Sequence, residues 1–173
     1  MSSEAITRND LEAILGSILP TPAGAQVGSS IAVRGSDTTV TLSTSYKTIP
    51  MVETLRNYGN VFSLDTTSGG VVCAYTGIVL ISACVWLYSS YTANDIISAI
   101  VNSDGTGYIE TPGRFRVPAN VTAPNTKLII PVGAYLVQEG ETLTVLCENV
   151  TGARGTVRPD GSFLSLTYLS PVL

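Results

Sequence analysis

The 173-residue chain contains no histidine. That removes the side chain most often used as a general base and the commonest metal ligand. A conventional Ser-His-Asp arrangement is therefore excluded. Charge is scarce as well: charged residues make up 13% of the chain, about half the usual quarter. The nine Lys and Arg never cluster, so the basic footprint of a nucleic-acid binder is missing, and the net charge is −4. Carboxylates are scattered through turns and strand edges. A glycosidase pair stays open at this level, but the expectation is a non-enzymatic protein without a cofactor or metal. Cysteine is sparse too. Cys73, Cys84 and Cys147 are far apart in apolar sequence. They lack the paired short spacing of a zinc site and are expected as buried free thiols. The N-terminus, MSSEAITRNDLEAILGSILP, has no basic segment followed by a continuous apolar one. Synthesis in a cytoplasm without general secretion is expected.

Against this thin background stands one long apolar stretch, Gly69–Tyr88 (GGVVCAYTGIVLISACVWLY). Its 20 residues nominally suffice to span a bilayer. However, Gly69, Gly70, Thr76, Gly77 and Ser82 interrupt it, and no basic residues flank it to set an orientation. Two strands joined at Thr76-Gly77 fit better than a membrane segment. In the second, Ile78, Leu80, Ser82, Cys84, Trp86 and Tyr88 alternate with Val79, Ile81, Ala83, Val85 and Leu87. Both faces are apolar, whereas a monomeric sandwich leaves one face polar.

Residues 1–20 read as a short helix. Thr7 caps it, with Asp10 as a capping-box partner, and Ile6 and Leu11 have the spacing of a hydrophobic staple. Leu11, Ile14, Leu15, Ile18 and Leu19 form one apolar stripe, and Pro20 ends it. So short a helix is marginal alone in water, so the stripe needs a partner. Docking in a groove of another protein is preferred over three copies packing as a bundle. Residues 21–36 are rich in Pro, Gly, Ala and Ser and read as a flexible linker. From 37 to 173, eight or more short runs with alternating apolar residues are separated by turn signals. They predict an all-β sandwich or jelly roll.

The β portion resembles the complement-type globular head and tumour-necrosis-factor-like jelly roll. Tyr75-Thr76-Gly77 followed by Ile78–Ala83 resembles the central motif of that family. Phe62–Asp65 resembles the short strand before it, Val137–Val145 the strand carrying a Gly-Asp pair, and Phe163–Leu169 the closing strand. Val79 stands where an aromatic is usual, and Gly140-Glu141 replaces Gly-Asp. The resemblance implies a homotrimer in which Gly77–Tyr88 lies in the inner sheet, one face in the core and the other at the trimer contact. Val79, Ile81, Ala83, Val85 and Leu87 are expected at that contact.

The layout of a short helix, a Pro-containing linker and a β head resembles small structural proteins of tailed bacteriophages. It implies a protein at the virion surface, made in the host cytoplasm. Its N-terminal segment, through Ile6, Leu11, Ile14, Leu15, Ile18 and Leu19, is expected to hold a capsid or tail protein. A head fibre or capsid decoration with weak adhesion to glycans is expected. A receptor-binding tail fibre is the alternative.

Smaller signals remain. Asn102–Gly107 reads as a hairpin turn built on Asp104-Gly105 rather than a calcium loop. Arg114-Phe115-Arg116 places two cations around an aromatic, a candidate ligand contact. Asn149-Val150-Thr151 matches the glycosylation pattern. Trp86, Tyr88 and Tyr91 offer rings for a sugar, although packing is the preferred role of Trp86.

Overall fold

The computed structural model describes residues 24–104, 107–108, 113–119 and 125–171. The expected N-terminal helix and its stripe lie outside the described residues. The strands are β1 (Ser30–Gly35), β2 (Val40–Thr41), β3 (Lys47–Ile49), β4 (Met51–Tyr58), β5 (Phe62–Asp65), β6 (Gly70–Cys73) and β7 (Gly77–Ser89). They continue with β8 (Ile96–Ser103), β9 (Gly107–Tyr108), β10 (Gly113–Arg116), β11 (Thr126–Val137), β12 (Thr142–Asn149), β13 (Thr156–Val157) and β14 (Phe163–Pro171). A 3-10 turn, Pro159–Gly161, precedes β14. Every pairing is antiparallel. The first sheet runs β2-β13-β7-β14-β1-β4, with β11 also on β7. The second runs β10-β8-β12-β6-β5, with β3 on β12 and β9 on β8. The all-β jelly-roll expectation holds.

The apolar stretch is divided as its Thr-Gly break predicts. Gly70–Cys73 enters the second sheet and Gly77–Ser89 the first. Strand β7 is central: β14 pairs with Gly77–Cys84 on one side, β11 with Gly77–Leu87 on the other, and β13 joins at Leu87–Ser89. Its backbone groups are thus met by neighbouring strands, and a continuous apolar run suits such a site. The motif glycine is required by close packing, because a Cβ at Gly77 would collide with the Tyr168 ring. That buried ring donates its hydroxyl proton to the Thr76 carbonyl at 2.9 Å.

The core lies between the sheets. Val79, Ile81, Ala83, Val85 and Leu87 of β7, Ile31 and Val33 of β1, and Leu164, Leu166 and Tyr168 of β14 meet Ile97, Ala99 and Val101 of β8 and Leu143, Val145 and Cys147 of β12. The three cysteines are free and buried.

One boundary needs correction. Ser30–Gly35, expected within the flexible linker 21–36, is strand β1, between β14 and β4. Ile31 and Val33 are fully buried. Their alternation with Ser30, Ala32 and Arg34 is a strand period, hidden by the Gly- and Ser-rich composition around it. The segment before it is tied down as well. The Gly28 amide donates to the Tyr168 carbonyl at 2.9 Å, and Asn60 Nδ2 donates to the Gly24 carbonyl.

The topology sorts the loops into two ends. The segment at Gly24–Ser29 and the end of β14, where Pro171 pairs with Gly77, lie together. At the other end lie Ser90–Asp95, Val150–Gly155 and Arg158–Ser162.

Candidate self-association face

The inward residues of β7 occupy the side of the strand on which a trimer contact was expected. Val79, Ile81, Ala83, Val85 and Leu87 are at most 2% exposed within a single chain. They are core residues of the single chain, so the expected contact does not fall on them. The outer face carries Ile78, Leu80, Ser82, Cys84, Trp86 and Tyr88, with Leu80 and Tyr88 exposed. Apolar periodicity alone could not rank two apolar faces. A usable signal was present, however: the outer set holds Ser82 and the amphipathic Trp86 and Tyr88, whose polar atoms want partners.

Register extends this face across the sheet. Leu80 is opposite Ala134 of β11, Ile78 opposite Leu136, and Cys84 opposite Ile129. On the other side Leu80 is opposite Thr167 and Ser82 opposite Ser165 of β14, and these face Ser30 and Ala32 of β1. The result is a floor of small side chains bordered by exposed Leu80, Ile129, Leu136 and Leu169, with Val132 at a bulge in β11. Ile129 is 68% exposed. So many exposed aliphatic side chains on one sheet face make it a candidate interaction surface.

The two long edges of this sheet are blunted. In β11 a register shift between Ile130 and Gly133 places Pro131 and Val132 in an irregular segment, and proline offers no ladder donor. In β4 the ladder breaks twice, at the positions of Leu55 and Val52, while exposed Glu53 pairs with Arg34 of β1. Edge-to-edge pairing is thus discouraged and the face is left open.

Toward the end away from Gly24, the face changes character. The Arg158 guanidinium lies 4.9 Å from the centroid of Trp86 and 5.3 Å from that of Tyr88, an attractive cation–ring geometry. Arg158 Nε and Nη2 donate to Asp160 Oδ1 and Oδ2 at 3.1 and 2.6 Å. The indole Nε1–H donates to Asn125 Oδ1 at 2.8 Å. The backbone is fastened at the same point: the Arg158 amide donates to the Trp86 carbonyl, and the Trp86 amide to Ser162 Oγ, both at 2.9 Å. Gly161 lies against the indole, and a Cβ there would collide with it. Sequence reading gave Arg158 and Asp160 no role, because the rings against Arg158 are some 70 positions upstream.

Two further loops at that end share one buried carboxylate. Asp95 has a side chain 1% exposed. It accepts from the Thr92 amide at 2.8 Å, from Arg154 Nη2 at 2.7 Å and Nε at 3.0 Å, and has the Thr151 hydroxyl at 3.1 Å. Burial pushes the carboxyl upward, but the Arg154 and Thr92 hydrogen bonds outweigh it and hold Asp95 down at about 2. Beside it, burial pushes the Tyr91 hydroxyl well above its ordinary value, and that hydroxyl donates to the Thr156 carbonyl at 2.9 Å. Tyr91 is therefore structural and offers no ring to a sugar. Asn149 is fully buried, with Nδ2 donating to the Arg154 carbonyl at 3.0 Å, which leaves no room for a glycan.

Arg114 and Arg116 are exposed on β10 of the other sheet, opposite Ser98 and Ile96 of β8, with Phe115 turned against the core. Trp86 and Tyr88 belong to the first sheet, so the two sets lie on different sheets. Glu141, in place of the usual Asp, accepts from the Ser103 hydroxyl at 2.8 Å and the Gln138 amide at 3.1 Å, closing the turn between β11 and β12. Among the described residues, no group of His, Cys, Asp and Glu could hold a metal ion.

No protein-family model matches the chain, and no curated protein does. Solved structures do. The chain is similar to murine APRIL at pH 5.0, with a TM-score of 0.61 and 14% identity over 82% of this chain and 99% of that one. It is also similar to an Eiger TNF from S. frugiperda, with a TM-score of 0.58 and 16% identity over 86% and 96%. At these identities the match establishes the fold, a tumour-necrosis-factor-like jelly roll.

Proposed function

We propose that this chain is the β head of a homotrimeric, non-enzymatic display protein on the virion of a tailed phage. The observation that carries the reading is the open aliphatic face of the first sheet between two blunted edges. A second and third copy of the chain are its natural occupants. Full burial of an aliphatic side chain stabilises by about 1.5–3 kcal/mol. Covering the exposed parts of Leu80, Ile129, Val132, Leu136 and Leu169 therefore contributes a few kcal/mol per chain. In a ring of three, identical contacts close without leaving an open face.

The virion part rests on the N-terminal sequence. Gly24–Ser29 lies at one end of the head, and on this reading the stripe of Ile6, Leu11, Ile14, Leu15, Ile18 and Leu19 holds a capsid or tail protein while the opposite loops face outward. A head fibre or capsid decoration is the first reading. A receptor-binding tail protein is the second reading, favoured by the loops locked at the far end by Asp95 and Arg154. Any glycan contact by Arg114 and Arg116 would be on the other sheet.

Light scattering of the full chain tests the assembly. A mass near three times 18.1 kDa is expected, falling to one chain for Leu80→Glu with Ile129→Glu. A monomeric wild type at micromolar concentration overturns the trimer. Deleting the gene from the phage separates the virion readings: near-normal plating supports decoration, and abolished plating supports receptor binding. Virions that never contain the protein refute both.

A further inference from the structure

The Trp86–Arg158–Tyr88 stack lies on the same outer face of β7 as Leu80, two positions along the strand from the row of Cys84 and Ile129. A cation at an apolar contact is normally costly, because its water must be removed. Here the charge is already compensated inside its own chain. Asp160 holds two donors of the guanidinium, whose carbon lies over the Trp86 and Tyr88 rings, and the side chains of Arg158 and Asp160 are 36% and 19% exposed. The 3-10 turn that presents them is fastened to the Trp86 backbone and packed on the indole through Gly161.

We propose that the Arg158–Asp160 pair is a pre-neutralised charge inside the self-association face, and that it determines which relative orientation of a second copy is accepted. This rests on the self-association reading above. A correctly oriented neighbour covers the pair without exposing an unmatched charge. A slipped or inverted neighbour would set aliphatic side chains such as Ile129 and Leu136 against the polar stack. The face thus discriminates by penalising wrong arrangements, not only by favouring the right one.

Trp86 is the only tryptophan, so it reports on this spot without any substitution. The experiment is a dilution series of the full chain, read by light scattering and by tryptophan emission. The first readout decides whether the chain associates at all. A wild type that stays monomeric sinks the underlying reading, and this one with it. If it associates, Trp86 emission is expected to shift to shorter wavelength with the same midpoint as the mass. Emission that stays constant while the mass changes places the stack outside the contact and overturns the proposal. Asp160→Asn leaves the guanidinium unmatched and is expected to raise the midpoint concentration at least tenfold. Arg158→Met with Asp160→Asn removes both charges and is expected to return the midpoint to within about threefold of wild type, with a broader mixture of assembly sizes. Thermal unfolding at monomeric concentration controls for the fold. An Asp160→Asn chain that is folded and has an unchanged midpoint also refutes the proposal.

Discussion

Asp95 gives a prediction whose size and direction both follow from its surroundings. Its carboxyl is nearly inaccessible and accepts hydrogen bonds from Thr92 and Arg154. These hold it ionised down to about 2, against an ordinary 3.8. At about 1.4 kcal/mol per pH unit of separation, the charged form contributes about 2 kcal/mol to folding. The folded-state value is the depressed one. The contribution is therefore fully present above pH 4 and is lost as pH falls from about 4 toward 2. Asp95→Asn keeps the shape but cannot ionise. Denaturant unfolding of both proteins, repeated from pH 6 to pH 2, is the assay. At pH 6 the variant is expected to be less stable by about 2 kcal/mol or more, since Arg154 also loses its counter-charge. The wild-type curve should then descend toward the variant's as pH falls, so that the two nearly meet at pH 2. Parallel curves across that range would refute the argument that Asp95 is the charge tying the Ser90–Asp95 loop to Arg154.

Other outcomes follow from burial. A chain beginning at Asp37 loses β1, with Ile31 and Val33. It should show no cooperative unfolding by circular dichroism, while a chain beginning at Gly24 should keep it; a folded Asp37 chain contradicts the strand assignment. Leu166→Ala, fully buried between Ile31 and Ile81, should cost about 2–5 kcal/mol in denaturant titration, and a loss under 1 kcal/mol would mean a slack core. Cys73, Cys84 and Cys147 are buried and free, and burial pushes each thiol upward. At pH 8 a disulfide reagent should titrate all three only after denaturation; prompt reaction of Cys147 in the native protein contradicts its place in the core.

The fold was legible in the sequence where local signals agreed with long-range ones. Thr76-Gly77 marks a chain crossing from one sheet to the other, and the residue under Tyr168 has to lack a side chain. Asp104-Gly105 marks the turn after β8, whose Asn102 and Ser103 pair with Tyr108 and Gly107 of β9. Strand β1 was illegible because composition outweighed period: Ile31 and Val33 alternate correctly inside a Gly- and Ser-rich stretch. The outer face of β7 was half legible. Two apolar faces on β7 leave open which of them packs in the core. The answer is in the partner strands, since Tyr168, Leu166 and Leu164 of β14 share the side of Val79, Ile81 and Ala83. The stack at Trp86 was beyond reach, because it joins residues brought together only by the completed sheet.

Strand β14 lies between β1 and β7, although the chain reaches it more than seventy residues after β7 ends. During synthesis neither earlier strand has its native neighbour on that side. The apolar ribbon of Gly77–Ser89 waits with one edge open, and Ile31 and Val33 wait on β1 with only β4 paired beside it. Pairings separated this far in sequence form slowly, and unpaired apolar edges invite misassembly in the meantime. Closure of the first sheet is therefore a late event that depends on the last strand to emerge. A chain cut short before Phe163 lacks the strand that joins β1 and β4 to the rest of the first sheet.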